Sequence, residues 1–402
     1  MSSRCLLSAM MACLFLASTA AAQEGDPPRR GASITIEGSI LSNQELIRDA
    51  ERGLHHLYNM EYGPADSVFI SIENRYPDHP VGPFLRSLVS WWRILPQLES
   101  GEEAQDEAFY DAMARVIKRS ERMLDKNRKD FDAMFFKGAA HGFRGRLRSN
   151  REEWLKAGKD GKAALEYVFE IAEADTSNAD FQFGSGVYNY FASVIPKKYP
   201  IVKPILFFFP SADRELGLRL LKQTATKGRL IQTEAVYFLL QIYLIYEPDF
   251  QRAVRYASWL TGKYPDNAFF RLMEGRVYVK WSRWSRAFEA FDEVTTGHAA
   301  GKPGYTDALA SVAAFYTGRY HVQGSRYDEA EISFLAVDGL TSGQKKDSRF
   351  RIEAALRLGM VYDLQGRRQK AERTYRHVLD MRKNGDSHKR AKKYLKSPYN
   401  SQ

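Results

Sequence analysis

The sequence predicts an all-α chain, a superhelical solenoid of helical hairpins. Hydrophobic periodicity is helical almost throughout, with Gly and Pro confined mostly to breaks, and a small-then-aromatic pattern recurs at fixed offsets along the chain. A length of 402 residues suits two ordinary domains or one elongated repeat array. The recurrence favours the array.

Residues 1–22 read as a secretory leader. Arg4 precedes an apolar stretch, Leu6 to Ala17, and small residues end at Ala20-Ala21-Ala22. A dozen apolar residues are too few for a membrane-spanning helix, which needs roughly 20. Lipidation at Cys13 is disfavoured by the bulky Leu14-Phe15-Leu16 that would follow it. Both cysteines, Cys5 and Cys13, lie in this leader, so the mature chain is expected to have no thiol for a disulfide, a metal or nucleophilic catalysis. Loss of Arg4 takes the 59 basic residues to 58 against 49 acidic, about +9. Such a charge favours anionic surfaces. In an exported protein these are lipid headgroups, acidic glycans or acidic proteins before nucleic acid.

Residues 23–42 form a Pro/Gly-rich flexible lead, and Ser42 with Glu45 reads as a capping box that opens the first helix. The N-terminal repeat region, 43–97, carries Gly53, Tyr62, Ala65, Phe69, Ile72 and Pro77, and then a helix from Val81 to Ile94 containing Trp91-Trp92. Residues 98–230 are degenerate but still helical: an acidic loop from Glu99 to Glu107, then helices at Phe109–Leu124, Asp132–Arg148, Trp154–Ala174, Phe181–Val194 and Asp213–Thr226. C-terminal repeats occupy 231–382. One reads Leu240, Phe250, Ala253, Ala257, Leu260 and Pro265; the next Gly275, Tyr278, Trp284, Ala287, Phe291 and Val294. Then come Gly318, Tyr327, Ala330, Phe334 and Val337, and finally Leu358-Gly359, Tyr362, Gly366, Ala371, Tyr375 and Val378. Gly275, Gly318 and Gly359 are 43 and 41 residues apart, longer than the usual ~34 of such repeats. Long loops, such as Thr296 to Thr306, are therefore expected. Residues 383–402 form a basic tail.

These residues resemble the tetratricopeptide hairpin, in which a small residue sits where the first helix crosses the second and an aromatic lies near the turn. The stretch Phe181 to Trp281 resembles something narrower. Gly186-Val-Tyr-Asn-Tyr-Phe-Ala-Ser-Val-Ile-Pro196, Asp213-Arg-Glu-Leu-Gly-Leu218, Tyr264-Pro-Asp-Asn-Ala-Phe-Phe270 and Gly275-Arg276 are similar to the tetratricopeptide repeat protein 39 family and its fungal relative, the inclusion-body clearance protein of the mitochondrial outer membrane. The resemblance implies a non-enzymatic helical scaffold with no catalytic residues to carry over. Those relatives work on the cytosolic side, whereas an export leader opens this chain, so their cellular role is not transferred.

Chemistry-bearing motifs are sparse. None of the eight histidines is in an H-x-x-x-H or H-E-x-x-H arrangement, so no metal and no cofactor are expected. Gly158-Lys-Asp-Gly-Lys-Ala163 has the wrong glycine spacing for a phosphate loop and lacks the hydroxyl that would reach magnesium. Candidate partner-binding residues lie one position after the packing glycines, or a turn to either side: Arg276, Lys280, Phe315, Arg319, Met360 and Asp363. This mixed aromatic and basic row suits an acidic or extended peptide. Equally, Phe315 packs on a neighbouring repeat and the charges are merely solvated. The insertion at 196–210, with Phe207, Phe208 and Phe209 near lysines, either contacts a membrane or partner or plugs the solenoid. Arg144, Arg146, Arg148 and Arg151 form a second basic region, and the tail from Lys389 to Lys396 a third.

The expectation is a scaffold for protein partners, periplasmic or outer-membrane-associated. A peripheral module for an anionic membrane surface, acting through the insertion, is the alternative, and an enzyme comes third. Nucleic acid is not expected as a partner.

Overall fold

A computed structural model describes residues 38–198 and 209–400. Among these there are seventeen α-helices and no strand. In chain order they are α1 (Gln44–Tyr58), α2 (Tyr62–Arg75), α3 (Val81–Ile94), α4 (Asp106–Lys126), α5 (Phe131–Asn150), α6 (Trp154–Ala174), α7 (Phe183–Lys198), α8 (Arg214–Lys227) and α9 (Gln232–Gln241). They continue with α10 (Phe250–Lys263), α11 (Ala268–Lys280), α12 (Trp284–Ala299), α13 (Asp307–Gln323), α14 (Tyr327–Thr341), α15 (Arg349–Leu364), α16 (Arg368–Asp380) and α17 (Ser387–Lys396). The leader and Phe207 and Phe208 lie outside the described residues. The chain divides into two compact units. An N-terminal unit takes the residues up to Leu57, Tyr62–Trp91 and Gln105–Gln241; a C-terminal unit takes Tyr58–Glu61, Trp92–Ala104 and the residues from Ile242 on.

The hairpins are of the tetratricopeptide type. Their common device is a glycine on the first helix pressed against an aromatic ring on the second. A Cβ on Gly275 would stand 2.6 Å from the Phe291 ring, on Gly318 2.7 Å from Phe334, on Gly359 2.5 Å from Tyr375, and in the N-terminal unit on Gly53 2.3 Å from Phe69. Only glycine fits at that distance. The alanine and the β-branched residue flanking each ring, Ala287 and Val294, Ala330 and Val337, Ala371 and Val378, are fully buried, so the repeated pattern is the core.

Capping follows the same alternation in the C-terminal unit. First helices are closed by side chains: Asn267 Oδ1 accepts from Phe270 N–H, Thr306 Oγ1 from Leu309 N–H and Ser348 Oγ from Arg351 N–H. The second helices α12, α14 and α16 start from an arginine, Arg283, Arg326 or Arg367, with no side-chain cap. Instead the arginine N–H reaches back to the carbonyl of Tyr278, His321 or Tyr362 at 2.8–2.9 Å, closing the preceding helix through a left-handed residue: Ser282 (φ 59°), Ser325 (φ 55°) or Gly366 (φ 71°). Each of the three guanidiniums also lies over an aromatic ring of that preceding turn, Trp281, Tyr320 or Tyr362.

Several local expectations change. The cap of α1 is Asn43, whose Oδ1 accepts from the N–H groups of Glu45 and Leu46, because Ser42 already closes a 3₁₀ turn onto the carbonyl of Ser39. The expected loop 296–306 is shorter by one turn, since α12 runs to Ala299, and Tyr305 folds back against Gly297. The tail from Lys389 is helix α17, packed on α15 and α16 with Ser387 and Ala391 buried.

The N-terminal unit crosses more tightly at α7 and α8: a Cβ on Gly217 would stand 2.3 Å from the backbone nitrogen of Tyr190. Asn189 Oδ1 accepts from the N–H of Asp213, and Tyr188 donates to the carbonyl of Pro210, so α7 pins the chain where it leaves the insertion. Gly158 and Gly161 are buried in the middle of α6, where they serve packing.

Candidate functional site

In the C-terminal unit the first helices α11, α13 and α15 each touch the next and form an inner layer, which α17 extends. Arg276 and Arg319 follow Gly275 and Gly318 directly, so they occupy equivalent places on successive helices. Their partners differ. Arg276 is buried, donates to the Glu99 carboxylate and lies 5.7 Å from the Phe350 ring centroid. That glutamate belongs to an acidic stretch of the same unit whose preceding turn, Leu95–Gln97, rests on α13. Glu103 of the same stretch is 3.4 Å from Lys346.

Arg319 has no carboxylate or other hydrogen-bond acceptor among the described residues. Its guanidinium lies over Trp284 at 4.9 Å, Tyr316 at 5.6 Å and Phe315 at 6.0 Å. Arg357, one helix on, lies 5.8 Å from the opposite neighbour of that cluster, the Phe315 ring, and its buried Nε has no hydrogen-bond partner. Glu353, a turn before it on α15, is engaged with Arg390 of α17 at 3.7 Å. Burial, with Arg319 and Arg390 alongside and Glu353 and Tyr399 opposing them, pushes the Arg357 guanidinium down to about 10. Burial likewise lowers Arg319. Both remain charged at neutral pH.

The six residues expected to meet a partner separate into three groups. Lys280 is exposed at the end of α11, and Arg319 is half-buried in the inner layer. Phe315 and Met360 are buried. Phe315 packs on Phe350 of the next repeat at 5.2 Å, the packing role weighed for it, and Met360 accepts a contact from Arg390 at its sulfur. Arg276 and Asp363 are committed internally. The Asp363 carboxylate, wholly buried, takes Arg368, the Tyr375 hydroxyl at 2.9 Å and the Tyr399 N–H at 2.8 Å, and so ties the C-terminal segment to the last hairpin. Of the insertion, Phe209 alone of the three phenylalanines is described, and it is half-buried.

Arg357 and Glu353 escaped sequence reading, although a signal was present. Arg357 interrupts the otherwise apolar run Ala354-Ala355-Leu356 … Leu358-Gly359-Met360, the sequence mark of a charge held inside a packed face.

The other basic cluster has a different fate. Arg144 and Arg148 converge on Asp160, at 2.6 Å each, together with His141 at 2.9 Å; Arg151 pairs with Asp106. Arg146 lies over Trp91 at 4.8 Å and Phe238 at 4.9 Å. Burial alone would raise the Asp160 carboxyl, but His141, Arg144 and Arg148 outweigh it and hold it below its ordinary value of 3.8. This region is internal cement. Among the described residues no three His, Cys, Asp or Glu side chains are grouped to hold a metal ion, and no helix is long and apolar enough to cross a membrane.

No protein-family model matches the sequence, and no curated protein matches it. Among solved structures the chain is similar to yeast Tom70, at 10% identity over 85% of this chain and 86% of that one, with a TM-score of 0.42. It is similar to human IFIT1 solved as a dimer with PPP-AAAA, at 14% identity over 80% and 69%, TM-score 0.43. It is also similar to the C-terminal part of a TPR repeat-containing protein from Cytophaga hutchinsonii, at 16% identity over 74% and 96%, TM-score 0.33. Scores this low transfer nothing from those proteins to this chain.

Proposed function

We propose that the protein is a non-enzymatic helical-repeat scaffold of the cell envelope that holds a protein partner on the inner layer of its C-terminal unit. The observation that carries this reading is the layer itself: three first helices in unbroken succession, with two half-buried guanidiniums, Arg319 and Arg357, to which no carboxylate among the described residues hydrogen-bonds. Packing alone would fill such a face with apolar side chains, as it does beneath Phe291, Phe334 and Tyr375. The export signal around Arg4 and Ala20-Ala21-Ala22 supports the compartment, periplasmic or attached to the outer membrane. The resemblance of residues 181–281 to tetratricopeptide repeat protein 39 supports the absence of catalysis.

Crosslinking of the tagged protein in its native envelope, with mass-spectrometric mapping of the positions, tests the reading. Reproducible protein partners attached at Lys280, on α13 or on α15 are the expected result. Fractionation into membranes with no protein attached there would replace the scaffold by a lipid-surface module.

A further inference from the structure

We infer that Arg319 and Arg357 form a two-guanidinium clasp for an acidic polypeptide segment, whose carboxylates complete on α13 and α15 what Glu99 completes on α11. This deepens the scaffold reading above and rests on it. Three observations bear on the occupant. First, the inner layer already takes one carboxylate from a polypeptide, since Glu99 sits on Arg276 beside Phe350. Second, the equivalent arginine one repeat on, Arg319, and its neighbour Arg357 have no carboxylate, while Glu353 within their field is engaged by Arg390. Three guanidiniums against one carboxylate leave this cluster short of negative charge. Third, its flanks are aromatic: the half-buried Trp284 and Tyr316 rings lie against Arg319, which pre-orients its planar fork for bidentate contact.

The source of the charge follows from depth. Both arginines are half-buried and Phe315 between them is buried, so a carboxylate must enter on a slender chain. A flat bilayer presents its phosphates too broadly to reach them. A glutamate or aspartate side chain on a polypeptide segment has the required reach, as Glu99, carried on a turn, demonstrates.

The test is fluorescence anisotropy of a fluorescein-labelled oligoglutamate peptide on the purified protein, with an oligoglutamine peptide, phosphatidylglycerol vesicles and a single-stranded oligonucleotide as competitors. The expected result is salt-sensitive binding that weakens at least tenfold in Arg319→Gln with Arg357→Gln, and by less in Arg357→Lys, which keeps the charge and loses the fork. The exposed Arg286 and Arg376, paired with Glu289 and Glu372, supply a double control of equal net charge. Equal loss in Arg286→Gln with Arg376→Gln would reduce the effect to diffuse attraction and overturn the clasp. Stronger competition by vesicles or oligonucleotide than by unlabelled oligoglutamate overturns it in favour of another anion. A melting temperature several degrees lower in the double variant would make the arginines structural and sink it too. The envelope crosslinking, repeated on the double variant, separates the two readings. Protein partners that persist undiminished on α13 and α15 refute the clasp and leave the scaffold standing, whereas their absence from the unsubstituted protein removes both.

Discussion

Two clusters of arginine in this molecule have opposite fates. In the N-terminal unit Arg144, Arg148 and His141 surround one carboxylate, Asp160, and Arg151 closes on Asp106. In the C-terminal unit Arg319 and Arg357 are also half-buried, against aromatic rings, with no hydrogen-bonded acid among the described residues. Burying an ion costs several kcal/mol unless partners replace its water. The first cluster recovers that cost inside the fold; the second leaves it uncompensated until something arrives. A concentration of arginine in the sequence is therefore no guide to a binding surface. What matters is whether the fold delivers the counter-charge.

The largest way to break this contrast is at Asp160. Asp160→Asn leaves two arginines and a histidine facing a neutral amide and should destabilise the N-terminal unit by about 3–5 kcal/mol, read as a lower urea midpoint. The sign with pH is fixed by the depressed carboxyl. In the unfolded chain it titrates near 3.8 and in the fold lower, so its contribution is full above about pH 4 and declines as pH falls through the folded value. The gap between Asp160→Asn and the unsubstituted protein should stay constant from pH 7 to 5 and narrow below about 4. A gap that is already closing at pH 6 would show that the Asp160 carboxyl is not held below its ordinary value.

A smaller effect tests what the two units share. Gly318→Ala and Gly53→Ala each drive a Cβ into a buried ring, and the overpacking of about 1–3 kcal/mol outweighs the ~1 kcal/mol that alanine gains in a helix. Gly142→Ala, on α5 with open space around it, should instead stabilise by up to about 1 kcal/mol. Urea titration of the three variants checks this, and stabilisation by Gly318→Ala would disprove the close crossing.

Those crossings are also where the sequence was most legible. Glycine, aromatic and β-branched residues at constant offsets betray the hairpin because they all serve one local contact, Gly275 on Phe291 or Gly359 on Tyr375. Helix α3 falls on Val81–Ile94 and α6 on Trp154–Ala174, as periodicity predicts, since both have turn residues at each end. The site was only half legible. Arg319 could be placed by its packing glycine, but the pairing of Arg276 with Glu99 joins residues far apart in the chain, and no local pattern encodes it. Asp363 was misplaced for the same reason: its partner Tyr399 comes from a segment that reads as a solvated tail.

The same long-range pairing gives the finest tests. Arg357→Met replaces an unpaired buried cation by an apolar chain of similar length, and should raise the stability of the C-terminal unit by about 1–2 kcal/mol, seen as a higher thermal midpoint. Loss of stability would show that the guanidinium packs usefully over Phe315 and is not strained. Glu99→Gln acts in the opposite sense on binding. It leaves the inner layer intact but withdraws the Glu99 carboxylate from Arg276, the equivalent place in the row on α11. A partly exposed pair contributes roughly 0.2–1 kcal/mol, so oligoglutamate should bind about two- to fivefold more tightly to the variant. Unchanged affinity would mean that the acidic stretch after α3 is only a structural brace. Tighter binding would identify it as an internal occupant of the same row of arginines, holding one place that a partner's acids otherwise take.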